Sequence, residues 1–414
     1  MQVRRLTAAL LFTFATAASA ADPAVWPQWR GPDRDGVLRH AAPWPDTLDG
    51  LIPVWRAADL GPSYSGPVVT ADRVFTTATV DKKTEVVLAF DRATGRKLWS
   101  ASWPGSMEVP FFAAKNGSWV RSTPATDGER LYVAGMRDVL VALDVATGKE
   151  VWRVDFMDKL KAPLPQFGFV CSPLVDADGV YAQAGASFVK VDKRTGTVLW
   201  RTLVDSGGMW GSAFSSPVFA ALAGVDQVLV QTRTDLAGVD RKTGEVLWKR
   251  PVPAFRGMNI LTPQPVGADG VFTSTYGGTT QLVKLTASGS RLAAADGWAF
   301  KYEGNMTSPV VVGGHAYLLG KDRRLICVDL ASGKETWRSE KRFGEYWSLV
   351  ANGDKLLGLD NRGVLYLLRA NPNEFDLLAE KKVADAESWA HLAVCGDTLF
   401  IRDLTGLTAL RWGK

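Results

Sequence analysis

Short apolar stretches alternate with polar turns along the chain, and one polar pattern punctuates them again and again. Asp91-Arg-Ala-Thr94-Gly95 leads to Trp99, and the same spacing runs from Asp144 to Trp152, Asp192 to Trp200, Asp240 to Trp248 and Asp329 to Trp337. The residue types explain the spacing. An Asp closing one strand accepts hydrogen bonds from backbone N–H groups of the turn, the Thr or Ser adds a hydroxyl partner, and Gly is free to take positive φ. The pattern therefore predicts a tight hairpin whose outgoing strand carries a Trp. A large flat ring at that place wedges between neighbouring sheets and stabilises each junction by a few kcal/mol of buried area.

The copies stand roughly 40 to 53 residues apart, the last two, Asp240 and Asp329, by about two such intervals, and one interval is the length of one four-stranded propeller blade. Strand openings repeat in step with them: Ser65-Gly66-Pro67, Ser122-Thr123-Pro124, Cys171-Ser172-Pro173, Ser215-Ser216-Pro217, Leu261-Thr262-Pro263 and Thr307-Ser308-Pro309. Pro is tolerated where a ladder begins. Two further openings lack it, at Tyr346-Trp347-Ser348 and Trp389-Ala390-His391, yet the apolar strand and Gly that follow (Gly353, Gly396) keep the register. The prediction is an all-β fold, a single closed β-propeller of four-stranded antiparallel blades over residues 51–414, with eight blades. Seven is the alternative, because the stretches around Leu285–Gly289 and Asn371-Pro372-Asn373 lack the Asp and the Trp spacing. The last unit stops at Thr408–Trp412, while Ile52-Pro53-Val54-Trp55-Arg56 reads as an orphan outer strand. That N-terminal strand is expected to complete the last blade and remove the open sheet edges.

Composition supports a folded, turn-rich chain, with 46% hydrophobic and 22% charged residues, 40 Gly and 21 Pro. Arg4 and Arg5, the apolar run Leu6–Ala17 and Ala18-Ser19-Ala20 have the layout of an export signal, residues 1–20, cleaved after Ala20. No later stretch is long and apolar enough for a transmembrane helix, and no Cys stands at the cleavage point to carry a lipid. An exported, periplasmic or extracellular monomer is expected. Arg4 and Arg5 account for two of the formal net charge of +5, and the remainder is too small to argue for nucleic acid. Cys171, Cys327 and Cys395 fall in apolar strands and are expected to be buried free thiols.

The repeat resembles the pyrroloquinoline-quinone-like (PQQ-like) propellers, whose tryptophan-docking motif is Ala-x-Asp-x-x-Thr-Gly-x-x-x-Trp. Ala89-Phe90-Asp91 and Ala142-Leu143-Asp144 match it in full. This group holds both quinoprotein dehydrogenases and non-enzymatic scaffolds such as the outer-membrane assembly propeller BamB, so the resemblance implies fold more strongly than function. Residues 21–50 form a Trp- and Pro-rich leader, and Trp26-Pro27-Gln28-Trp29-Arg30-Gly31-Pro32-Asp33-Arg34-Asp35-Gly36 looks like the leader of exported PQQ-like proteins. Asp33–Gly36 lacks the third spaced oxygen and distal Glu of a calcium loop, and a solvated turn is expected there.

In the resembling enzymes a calcium ion with carboxylate and amide ligands, an Asp base and a bridge between adjacent cysteines surround the quinone. This chain has no Cys-Cys pair, and no Glu, Asn and Asp in it match those ligands. Neither PQQ nor a metal is expected, and no catalytic residue is assigned. His40, His315 and His391 are the only histidines and lack metal-ligand spacing. The remaining signal is on the links from each outer strand to the next inner strand, which share one face with the turns between second and third strands. The early links are long and aromatic. Trp103, Phe112, Trp119, Phe167, Trp210, Phe214, Arg256, Tyr346, Trp347 and Trp389 are the candidate interaction residues, a composition suited to a protein or envelope-polymer partner. Basic turns at Lys82-Lys83, Arg137, Arg233 and Arg323-Arg324 would favour an acidic partner. The alternatives are a PQQ-dependent oxidoreductase, its cofactor over the channel near Trp347, Trp389 and Trp210, and a glycan-binding propeller.

Overall fold

The computed structural model describes residues 24–39, 41–205, 212–288 and 291–413. The expected export signal and Trp210 lie outside this set. Eight antiparallel sheets of four strands follow one another round an axis, which decides between eight blades and seven. The first blade shows the pattern: Val68–Val69, Arg73–Val80, Thr84–Asp91 and Lys97–Pro104, paired in chain order from the axis outward. Middle strands such as Arg130–Gly135 and Val139–Asp144 are buried on both faces because blades stack against each other, which is why they read as nearly continuous apolar runs. Outer strands such as Glu150–Asp155 alternate between solvent and core. The core accordingly lies between blades. Val68, Phe75 and Val87 of the first sheet pack with Leu131, Val133 and Val141 of the second.

The ring closes as the sequence predicts. Leu51–Ala57 pairs antiparallel with Leu407–Trp412 and supplies the outer strand of the eighth blade.

In each motif hairpin the Asp carboxylate organises the turn. Asp91 Oδ1 accepts from the amides of Ala93 and Thr94 and from the Thr94 hydroxyl, at 3.1, 2.9 and 2.7 Å. Asp144, Asp192, Asp240 and Asp329 repeat the arrangement with Thr147, Thr195, Thr243 and Ser332. A β-bulge then offsets the outer strand by one residue just before the Trp: Phe90 faces Lys97, whereas Ala89 faces Trp99. The Ala of the motif is thus the cross-strand neighbour of the Trp, and its small side chain leaves the indole room to turn toward the next blade.

There the indole meets glycine. A Cβ placed on Gly148 would lie 2.5 Å from the Trp99 ring, and one on Gly196 would lie 2.9 Å from Trp152. Trp99 Nε1 donates to the Val145 carbonyl at 3.0 Å and Trp152 Nε1 to the Lys193 carbonyl at 3.0 Å. Trp99, Trp152 and, against Gly244, Trp200 therefore dock on the Asp-x-x-Thr-Gly turn of the following blade, so the turn glycine is fixed by a close approach as well as by positive φ, whereas Trp337 donates to the Asn371 carbonyl of a turn without that glycine. Trp55 and Trp298 dock in the same way, on Gly95 and Gly333, although neither follows a complete motif. Trp248 departs from the rule. The next hairpin, Thr280–Ser288 with Arg291–Phe300, carries Leu285 where the motif has Asp, and Trp248 Nε1 donates instead to Gln227 Oε1 within its own blade.

The leader enters the channel. Val37–Leu38 adds a parallel fifth strand to the seventh blade, and Trp26 bridges Val69 of the first. Between them Arg30 and Arg34 are wholly buried. Arg34 donates to the carbonyls of Pro173 and Ser172 at 2.5 and 2.9 Å, and Arg30 donates to those of Pro309 and Asp35. The expected solvated turn at Asp33–Gly36 is therefore corrected. Asp33 is exposed, but Arg34 reaches inward because the inner-strand openings present carbonyl groups that only a donor in the channel can satisfy. Cys171, Cys327 and Cys395 are buried and free. No helix among the described residues is long and apolar enough to cross a membrane.

Candidate functional site

The strand openings build a cup at the axis. Three places before each opening Pro, or the residue standing in for it, the chain sets a side chain on the inner wall: Tyr64, Arg121, Val170, Phe214, Ile260, Met306, Tyr346 and Trp389 all line one cavity of about 190 Å³. Thr123, Ser172, Ser216, Ser308 and His391 stand two places further on, and Trp29 of the leader joins the same lining. One repeated position thus supplies one wall residue per blade.

The hydroxyls knit the blades together. Gly66 N donates to Thr123 Oγ1 at 2.9 Å, Thr123 N to Ser172 Oγ at 3.0 Å, Ser172 N to Ser216 Oγ at 2.9 Å and Thr262 N to Ser308 Oγ at 3.0 Å. The Ser/Thr before Pro124, Pro173, Pro217 and Pro309 is therefore an inter-blade clamp, a role its position in the sequence does not announce.

The candidate interaction residues separate into three groups. Tyr346, Trp389, Phe167 and Phe214 line the cup. Tyr346 and Trp389 stack at 5.8 Å with rings 22° apart, and Tyr64 lies 5.4 Å from Trp389. Phe112 and Arg256 are exposed on the rim links, and Trp119 is half-buried beside Tyr64, edge to face at 6.4 Å. Trp103 and Trp347 are corrections, because both are core. Trp103 Nε1 donates at 2.7 Å to Glu85, a carboxyl whose pKa is raised by burial, and Trp347 is fully buried between Phe343 and Tyr366. A cofactor near Trp347 would have to displace core packing. Of the basic turns, Arg233 is spent on Asp205 at 2.5 Å.

Phe111 and Phe255, exposed by 90% and 51%, extend the apolar rim. From Phe111 a run of rings descends into the cup through Phe112, Phe167 and Phe214, with centroids 5.6, 6.2 and 5.5 Å apart. Below it His391 stacks on Trp26 at 6.4 Å. Burial, reinforced by Arg30, pushes its pKa down to about 3, so the ring is neutral packing.

Among the described residues the lining includes no carboxylate and no amide side chain. No group of three or more His, Cys, Asp or Glu that could hold a metal occurs among the described residues. The carboxylate-and-amide ligand set that the resembling enzymes give to calcium thus has no counterpart in this cup.

A ring of eight sheets joined by docked tryptophans, with a cup at one end of its axis, defines a PQQ-like propeller. Residues 82–339, more than half of the chain, match the family model described as outer membrane protein assembly factor BamB. The chain belongs to that family. It is 26% identical over 335 residues to the outer membrane protein assembly factor BamB of Moranella endobia, covering 79% of this chain and 80% of that protein. Among solved structures it is similar to BamB from Moraxella catarrhalis, with TM-score 0.63 and 16% identity over 87% of this chain and 99% of that one. Quinohemoprotein alcohol dehydrogenase ADHIIG from Pseudomonas putida gives TM-score 0.65 and 14% identity over 95% of this chain and 81% of that one. At such identities these structural likenesses concern the fold alone.

Proposed function

We propose that the protein is a non-enzymatic scaffold of the cell envelope that holds a partner protein on the aromatic face around its cup. The observation that carries this reading is the run of phenylalanine rings from Phe111 into the cup, joined on the rim by Phe255. Exposed aromatics grouped round a concavity are the anchors of protein interfaces, where a few such residues supply most of the binding energy. Family membership supports an envelope role, and the export signal expected at residues 1–20 agrees with it.

The test is photo-crosslinking in cells with a reactive side chain at Phe111 or Phe255, and at Arg96 on the opposite face as control. Protein adducts are expected from the first two positions and not from Arg96. The double variant F111S/F255S should lose binding to the identified partner without a change in Tm, since neither side chain is core. Adducts from both faces alike would overturn the reading. Titration with PQQ and calcium separates the enzymatic alternative: no change in Tm or tryptophan fluorescence is expected, and saturable binding would return the protein to the quinoprotein class.

A further inference from the structure

The cup has the chemistry to select one end of a polypeptide, and this inference rests on reading the loop face as a protein-binding surface. Its volume of about 190 Å³ is close to that of an engineered apolar cavity of about 150 Å³ that takes up benzene, which suits one aromatic side chain. The walls are flat and apolar, formed by Tyr64, Tyr346 and Trp389 on one side and Phe214 on the other.

Arg121 is the cation of its lining among the described residues. The Arg121 guanidinium lies 5.1 Å from the Tyr64 ring centroid and donates one hydrogen bond, to the Gly117 carbonyl at 2.6 Å. It makes no ion pair among the described residues, and no carboxylate lines the cup. The buried arginines of the leader differ, each donating to carbonyl groups of the inner strands. The hydroxyls on the lower wall add to the same polarity. Thr123, Ser172 and Ser308 each accept a backbone N–H from the preceding blade, so the proton of each remains to be donated. A guanidinium and several hydroxyl donors beside aromatic walls fit an anion attached to an apolar group.

The leader decides which kind of group. The leader crosses the channel beneath the cup, with Trp26 on Val69, Arg30 on Pro309 and Arg34 on Ser172 and Pro173, and Trp29 stands in the lining. A chain entering from the loop face cannot pass through, so a terminus fits where a through-running segment does not. We infer that the cup binds the C-terminal residue of a partner polypeptide, its carboxylate toward Arg121 and the donor hydroxyls and its aromatic or large aliphatic side chain against Tyr64, Tyr346 and Trp389.

The probe is the peptide acetyl-Gly-Gly-Phe as free acid and as amide, titrated into the full chain by calorimetry and tryptophan fluorescence, with phenylacetate as the small-molecule arm. Saturable binding of the acid is expected, at least tenfold weaker for the amide and for phenylacetate. Arg121→Gln should lose the preference for acid over amide, and Arg121→Lys should keep part of it. Tyr346→Ala should weaken acid and amide together, which keeps the test open if Arg121→Gln fails to fold. Equal binding of acid and amide, an unchanged preference in Arg121→Gln, or phenylacetate binding as tightly as the peptide would each overturn the inference. The crosslinks at positions 111 and 255 report on the loop-face reading separately, so the two can fail independently.

Discussion

Asp138 shows how one residue can set a pH dependence. It sits at φ 57°, buried, with Oδ2 accepting from Gly185 N at 2.9 Å. Burial, with Asp155 adding to it, raises its pKa to about 7. An acid whose folded pKa lies above its unfolded value of about 3.9 contributes stability that is full below the unfolded pKa and lost as pH rises to the folded one. Its share of stability therefore falls between about pH 4 and 7. Asp138→Asn should flatten that slope and be more stable relative to the parent at pH 8 than at pH 4, measured by urea unfolding at the two pH values. The turn carboxylates act in the opposite sense. Hydrogen bonds from Thr94, Thr147 and Ser332 hold Asp91, Asp144 and Asp329 below the usual range, and their contribution is lost only as pH falls below it. The turn residues were legible from their order in the chain because a hairpin of this kind is local. Asp138 was not, because its burial comes from residues across a blade junction.

At the scale of the element, the unit of stability is the pair formed by an outer-strand Trp and the next blade's turn. Trp152→Ala should cost about 3 to 5 kcal/mol as a large-to-small change in a packed core, read from the denaturant midpoint at constant m-value. Gly196→Ala should destabilise the parent through both positive φ and the 2.9 Å approach to the Trp152 ring, and cost less in the Trp152→Ala background. Equal cost in both backgrounds would show that the glycine serves the turn alone. Of the five tryptophans that the motif names, Trp99, Trp152, Trp200 and Trp337 dock on the following blade. Trp55 and Trp298 escaped it because docking needs only the bulge before the Trp and a turn in the following blade, and neither requires the Asp-x-x-Thr-Gly of the Trp's own hairpin. Trp248 carries the motif and bonds within its own blade, the following hairpin having Leu285 in place of the motif Asp.

For the whole molecule, the leader is the part that changes most between sequence and structure. Arg34→Ala would leave the buried Pro173 carbonyl without its donor and the Ser172 carbonyl with only the weak Cys171 thiol, at about 1 to 3 kcal/mol for an orphaned group, and should open the floor of the cup. A lowered Tm, with faster hydrogen exchange at the inner strands of the third blade, is the expected outcome. An unchanged Tm would show that water replaces the guanidinium at no cost.

The repeat, the closure of the ring and the aromatic bias of the early links are carried by residues near one another in the chain or at a fixed period, and so the amino-acid order alone determined them. What the folded ring decided is which of those aromatics face solvent. Trp103 and Trp347 have the same composition and spacing as their neighbours but turn into the core, one held by Glu85 and the other packed against Phe343. The cup, the Arg121 guanidinium in its wall and its floor likewise come from eight strand openings and a leader far apart in sequence. Only closure of the ring brings them to one axis, and burial against partners distant in the chain is the term that no local pattern encodes.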